Sequence, residues 1–210
     1  MLEETLVLFK NIRNPKYDKS LAGYKKTGGF KSLKKVFGMK PEEVVQEVKE
    51  SGVRGRGGAG FPTGLKWSFM AKGTGKPSYL VANADESEPG TCKDRELMLK
   101  DPHLFLEGLM IGSYAVGCHH AYVYVRGEFF PAIKILNAAV DELYADGLLG
   151  NDPLGSGFNL DITIHTGAGA YICGEETALL DSLEGKRGQP REKPPFPAVS
   201  GFNGCPTSGN

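Results

Sequence analysis

Between Ser51 and Trp67 the chain reads Ser51-Gly-Val-Arg-Gly-Arg-Gly-Gly-Ala-Gly-Phe-Pro-Thr-Gly-Leu-Lys-Trp67, with glycines at 55, 57, 58, 60 and 64. Glycine costs backbone entropy, so such a cluster answers a need: positive φ, or an approach too close for a Cβ. Consecutive bare N–H groups can form a concave anion cradle, and Arg54, Arg56 and Lys66 surround it with positive charge. Phe61, Trp67 and Phe69 add flat apolar faces, which suit an aromatic ring such as a nucleotide carries. No Gly-Lys-Ser/Thr follows at P-loop spacing. Gly55-Arg-Gly-Gly-Ala-Gly60 matches G-x-G-x-x-G, but a dinucleotide fingerprint should follow a strand, and the segment before it reads as a helix. An Arg-Gly tract for RNA would repeat, and this one occurs once. Composition alone leaves two readings, a nucleotide loop and a structural glycine turn.

Two further stretches could do chemistry. Asn83-Ala-Asp-Glu-Ser-Glu-Pro-Gly90 places Asp85, Glu86 and Glu88 after an apolar run, and Gly167-Ala-Gly-Ala-Tyr-Ile-Cys-Gly174 leads into Glu175 and Glu176. Ionised carboxylates only accept hydrogen bonds, so they suit ribose hydroxyls, a carboxamide or a flavin edge rather than a phosphate. A solvated acidic turn is the alternative for Asp85 to Glu88, and helix N-terminal capping for Glu175 and Glu176. His103, His119, His120 and His165 lack metal-ligand spacing and read as structural or surface residues. Cys92, Cys118, Cys173 and Cys205 form no C-x-x-C pair, so no metal site is expected. With no signal peptide, free thiols in a reducing compartment are the expectation.

The elements that must hold these loops alternate. Pro41 to Ser51 reads as an amphipathic helix, with Pro41 in its first turn, Glu42 and Glu43 at its positive end, and Gly52 as its stop. Ser78 to Asn83 reads as a buried strand, Leu104 to Val116 as a helix, and Ala121 to Val125 as a strand. Phe130 to Tyr144 is a strongly amphipathic helix, Leu160 to Ile164 a strand, and Glu175 to Leu183 a helix. Helices and strands in alternation predict an α/β fold: a Rossmann-like parallel sheet with helices on both faces. In such sheets ligands bind at the carboxyl ends of the strands, where all three loops would meet. Residues 1–40, rich in lysine, read as an irregular N-terminal arm lying over the domain or a neighbour, with a solvated tail as the alternative. Residues 41–210 are the expected ligand-binding domain. From Gly185 onward, glycine and proline predict no regular element.

The totals narrow the classes. The 210 residues suffice for one large domain, and 40% hydrophobic with 24% charged residues is ordinary for a globular chain. Twenty-five basic and 25 acidic side chains balance, which argues against a broad grip on nucleic acid. No stretch reaches the ~18 consecutive apolar residues of a membrane span.

Together with Lys193-Pro-Pro-Phe-Pro197, the three loops closely resemble those of the flavin-carrying, NADH-oxidising subunit family of respiratory complex I, the NADH:quinone oxidoreductase. The resemblance runs in order over residues ~20 to 207, and three long motifs at matching separations are far more specific than one glycine pattern. It implies FMN with NADH stacked on it, hydride passing from nicotinamide to flavin, and electrons leaving singly to iron–sulfur clusters. By that resemblance Gly55, Gly57, Gly58, Lys66, Asn83, Asp85, Glu86, Ser87, Gly174 and Glu175 contact FMN. The flanking Arg56, Ala59, Gly60, Pro62, Thr63 and Gly64, with Gly167, Ala168, Gly169, Ala170 and Tyr171, line the same two ligands. Phe61, Phe69 and Phe196 stack around adenine, while Glu88, Glu176 and Lys193 hold the polar parts of NADH. Glu88 and Glu176 stand closest to a catalytic assignment. Hydride transfer itself needs no general base, so the protein's work is alignment and electrostatics.

The resemblance also implies partners: a thioredoxin-like [2Fe–2S] subunit and a large iron–sulfur subunit. The place is peripheral, on the cytoplasmic side of a bacterial inner membrane or the matrix side of a mitochondrial one. The family continues into a β-grasp-like domain and a helical domain with a [4Fe–4S] cluster, so a fragment without a cluster of its own is expected here. Where the family has Thr-Ile-Asn-Asn, this chain reads Ser208-Gly209-Asn210, which leaves Asn210 as the candidate flavin contact. The diaphorase subunit of an NAD-linked hydrogenase or formate dehydrogenase is the alternative, with the same ligands and different partners.

Overall fold

Four parallel strands form one sheet, β1 Tyr79–Ala84, β2 His120–Val125, β3 Asp161–Thr166 and β4 Thr207–Gly209, in the spatial order β3-β2-β1-β4. The computed structural model describes residues 5–209. In register, Tyr79 to Ala84 faces His120 to Val125, and Tyr79 to Val81 faces Thr207 to Gly209 on the other side. Strand order therefore reverses at β1, and the crevice outside the carboxyl ends of β1 and β4 is the sheet's switch point.

Nine α-helices accompany the strands among the described residues: α1 Leu21–Lys26, α2 Lys31–Val36, α3 Pro41–Glu50, α4 Thr63–Ser68, α5 Asp94–Lys100, α6 Pro102–Val116, α7 Phe130–Ala145, α8 Glu176–Leu183 and α9 Pro197–Ser200. Pro41 opens α3, whose Lys40 N–H donates to Glu43 at 2.7 Å. Gly117, at φ 70°, terminates α6 in the left-handed conformation that costs L side chains most.

The strand period of two sorts the core. Leu80, Ala82 and Ala84 of β1, with Ala121, Val123 and Val125 of β2, turn to one face and pack under α6 and α7. Val81 and Tyr124 turn to the other face, where Leu179 and Leu180 of α8 meet Cys173 and Phe202. Leu106, Met110, Leu136 and Leu143 are fully buried on the first face, each worth roughly 1.5–3 kcal/mol of transfer free energy.

The sequence reading of residues 1–40 as an irregular arm is replaced over much of that length. Helices α1 and α2 pack onto α6, and Tyr24, Phe30, Leu33 and Val36 are buried in the main core. The anchor is the carboxylate of Glu107 on α6, which accepts from Tyr24 Oη at 2.5 Å, Phe30 N at 2.8 Å and Leu33 N at 3.0 Å. A carboxylate so buried is tolerated because its lone pairs are met. The region after Gly185 likewise holds elements, α9 and β4, where none was expected. The short helices α4 and α5 are likewise additions to the elements the sequence predicts.

Candidate functional site

The first glycine stretch forms a narrow turn projecting from the body. Gly55 N donates to Phe61 O at 2.9 Å and Thr63 N to Val53 O at 3.0 Å, so Arg56 to Gly60 form the tip, exposed from Arg56 to Ala59. Arg54 steadies it through Gly60 O at 3.3 Å. The chain then enters α4, where Thr63 and Gly64 are buried and Lys66 points away on the site side. Gly64 is explained by packing: a Cβ there would lie 2.5 Å from Lys49 N of α3. Gly57 and Gly58 are different, because a Cβ at either meets nothing within 4 Å. Pro62 is the N-cap of α4, and Ala59 sits in the tip.

At the carboxyl end of β1 the acidic residues separate into different tasks. Asn83 Nδ2 donates to Gly174 O at 2.8 Å, joining the second and third loops. Asp85 is buried; Ser87 Oγ donates to its Oδ1 at 2.6 Å, while its Oδ2 is buried without a partner. Burial pushes this carboxyl above its ordinary value, against the Ser87 hydrogen bond and the Arg126 charge. Glu86 turns away: its carboxylate accepts from Lys93 N, Asp94 N and Arg95 N at 2.8–3.0 Å and caps the start of α5. Glu88 is exposed and accepts from the Tyr171 hydroxyl, which brings the third loop over the second.

The third loop is divided too. Gly167 is accounted for by packing, since a Cβ would fall 2.8 Å from the Tyr124 ring, and Gly169 by its φ of 84°, a backbone conformation that L side chains rarely adopt. Ala168 and Ala170, either side of Gly169, are exposed. At Gly174 a Cβ would make only ordinary contact, 3.6 Å from Asp85 O and 3.9 Å from its Oδ2, so packing within the chain does not demand this glycine. Glu175 is the N-cap of α8: its Oε2 accepts from Thr177 N at 2.8 Å and Ala178 N at 2.9 Å. The capping alternative thus accounts for one of its two oxygens.

Glu176 does not cap. Lys193 Nζ lies 2.6 Å from its Oε1 and Lys66 Nζ 3.1 Å from its Oε2, a cation–anion–cation arrangement linking α4, α8 and the segment before α9. Burial works to raise the Glu176 carboxyl, but the hydrogen bond from Lys193 and the charge of Lys66 outweigh it and hold it below its ordinary value. Lys193 is raised in turn, the bond to Glu176 outweighing its own desolvation. Lys193 Nζ also lies 3.4 Å from Glu175 Oε1, so two lysines meet two glutamates and the cluster is balanced in charge.

Phe61 and Phe69 pair at a centroid distance of 6.2 Å and are 44% and 54% exposed, an unusually large aromatic surface to leave to solvent. Phe196, the N-cap of α9 and 59% exposed, has no ring partner among the described residues. Asn210 lies outside the described residues. Sequence reasoning missed Thr177 and Arg191, which hold the Lys193 segment to α8. Their signal is faint: a threonine and an arginine beside, rather than within, the glycine-rich stretches.

The candidate site therefore gathers, at the carboxyl end of β1, an unpartnered buried acceptor at Asp85 beside Gly174, the Lys66–Glu176–Lys193 cluster, the uncrowded glycine Gly57 and exposed aromatic rings. A model of the Nuo51 FMN-binding domain family matches residues 48–205. The chain is 59% identical over 184 residues to an NADH-quinone oxidoreductase subunit of Streptomyces coelicolor, covering 88% of this chain and 41% of that protein. It is 54% identical over 210 residues to the NADH-quinone oxidoreductase subunit of the same name in Rickettsia bellii, covering 100% of this chain and 50% of that protein. Among solved structures it is similar to an NAD+-reducing [NiFe]-hydrogenase in the H2-reduced state, with a TM-score of 0.75 and 40% identity over 83% of this chain and 30% of that one. The chain spans about half the length of the curated relatives it matches. On the match over residues 48–205, this chain belongs to the Nuo51 FMN-binding domain family.

Proposed function

We propose that this chain holds FMN in the crevice outside β1 and β4 and presents it to NADH, as the flavoprotein portion of a respiratory NADH:quinone oxidoreductase. The observation that carries this reading is the buried, unpartnered Asp85 Oδ2 beside Gly174. A buried acceptor without a donor is costly, and a hydroxyl-rich ligand such as FMN would supply the donor. The bare turn at Gly57 and Gly58 would let a planar ring or a phosphate approach main-chain N–H groups directly. These residues fit the group.

When bound, FMN supplies a two-electron acceptor for the hydride of NADH that can release electrons one at a time. The chain's own residues bind and orient. Asn83, Asp85 and Ser87 would hold the hydroxyl-bearing part, and Lys66 an anionic part. Phe61, Phe69 and Phe196 would stack with the adenine of NADH. Glu88, Glu176 and Lys193 would fix its polar groups, so that the reacting carbon and the flavin meet without a protein base. The 54% to 59% identity to NADH-quinone oxidoreductase subunits supports the respiratory assignment. With it come a thioredoxin-like [2Fe–2S] subunit and a large iron–sulfur subunit as partners, and a peripheral place at the membrane. No described helix is long and apolar enough to cross one.

The 40% identity to the NAD+-reducing hydrogenase supports a second reading, a diaphorase portion with the same ligands and different partners. One experiment tests the shared core. The purified chain is titrated with FMN, and NADH is then added without oxygen. Retained flavin whose visible absorbance is lost on adding NADH is the expected result. A chain that retains no flavin, or holds it unbleached, overturns the proposal.

A further inference from the structure

Lys193 and Phe196 lie in a segment with no regular element between Leu183 and Pro197, yet both must be placed accurately if they meet a ligand. What holds that segment is Arg191. Its guanidinium donates through Nε and Nη2 to Asp181 Oδ1 at 2.8 and 2.7 Å, and through Nη1 to Gly201 O at 3.0 Å. Nη2 also lies 2.8 Å from Glu184 Oε1. Its backbone N–H donates to Thr177 Oγ1 at 2.8 Å, and that hydroxyl donates onward to Glu175 Oε2 at 2.5 Å.

Thr177, Asp181 and Glu184 fall at i, i+4 and i+7, one stripe along α8 and its C-cap. Arg191 therefore lies lengthwise on the helix. Its backbone end is next to the N-cap that borders the site, and its charged end is at the helix C-terminus, where a cation is favoured. Lys193 follows two residues later, within about 7 Å of extended chain, and reaches Glu176 at 2.6 Å. The same guanidinium grips Gly201, past Phe196, so both ends of the intervening stretch are tied to one helix.

We propose that Arg191 is a positioning residue for the dinucleotide subsite: it sets Lys193 and Phe196 against α8 and thereby governs NADH affinity, without touching FMN. This rests on the reading of that subsite given above. A planar fork that meets two carboxylates and a carbonyl at once has no lysine equivalent.

The test uses the FMN-loaded chain and two variants, Arg191→Lys and Asp181→Asn, with flavin affinity, melting temperature, and KM and kcat for NADH with a soluble one-electron acceptor. For Arg191→Lys, KM for NADH should rise about tenfold, with kcat and FMN affinity held within about twofold; Asp181→Asn should move the same way by about threefold. An unchanged KM in Arg191→Lys overturns the inference. Loss of flavin and of cooperative melting in both variants also overturns it, since Arg191 would then serve folding alone. Wild-type chain that holds FMN but ignores NADH, or holds no FMN, removes the subsite reading itself and the inference with it.

Discussion

In the two glycine-rich turns the same added methyl group would meet different things. At Gly167 it would run into the Tyr124 ring at 2.8 Å, and at the neighbouring Gly127 into Gly167 O at 2.2 Å. At Gly57 it would meet nothing of the protein. Glycines of the first kind are demanded by the fold, because β2 and β3 end in backbone-to-backbone contact. Gly57 has no such packing cause within the chain, and the proposed ligand would supply one. A glycine cluster is thus two signals overlaid, and only the surroundings of each position separate them.

Three substitutions would break or sharpen that contrast. The largest effect is expected at Gly127→Ala, where backbone must move and stability should fall by about 3 kcal/mol or more. Urea denaturation without flavin would record it, and a loss within error would contradict the packing account. Next is Gly57→Ala. Its stability should stay within about 0.5 kcal/mol of wild type, while FMN affinity falls by about 1–3 kcal/mol, read by quenching of flavin fluorescence. Unchanged affinity would leave that glycine without a reason.

The smallest effect concerns the lysine pair that joins the two turns. The Glu176 carboxyl is held below its ordinary value of 4.5, so its contribution is present above that value and is lost as pH falls through the folded value. Glu176→Gln should therefore lower the melting temperature at neutral pH and converge with wild type in acid. The difference should stay under about 1 kcal/mol, because the group is partly solvated. A gap that does not close on acidification would mean the pairing with Lys66 and Lys193 contributes nothing.

Long periodic segments were legible from residues alone. The apolar spacing of α6 and α7 and the runs of β1, β2 and β3 announced a parallel sheet within one or two residues of each boundary. What the lysines of residues 25–35 obscured was Glu107, a buried carboxylate more than 70 residues downstream that fastens α1 and α2. Charge density in a short window reports solvation of that window and says nothing of a distant acceptor. Strand β4 escaped for a related reason: three residues among glycine and proline carry no period, and their partner is Tyr79 to Val81.

The candidate site divides the same way. Residue types marked Asp85, Glu86 and Glu88 as one acidic group, but the fold assigns them three fates: an unpartnered buried acceptor, a helix cap and an exposed partner of Tyr171. By itself the sequence determined the classes of residue available and the order in which strands and helices follow, since periodicity and turn chemistry are local. Which side of β1 receives β4, which glycines face protein and which face open space, and which cation reaches Glu176 were decided only by tertiary packing. Those facts depend on contacts between segments far apart in the chain, and no short stretch encodes its distant neighbour.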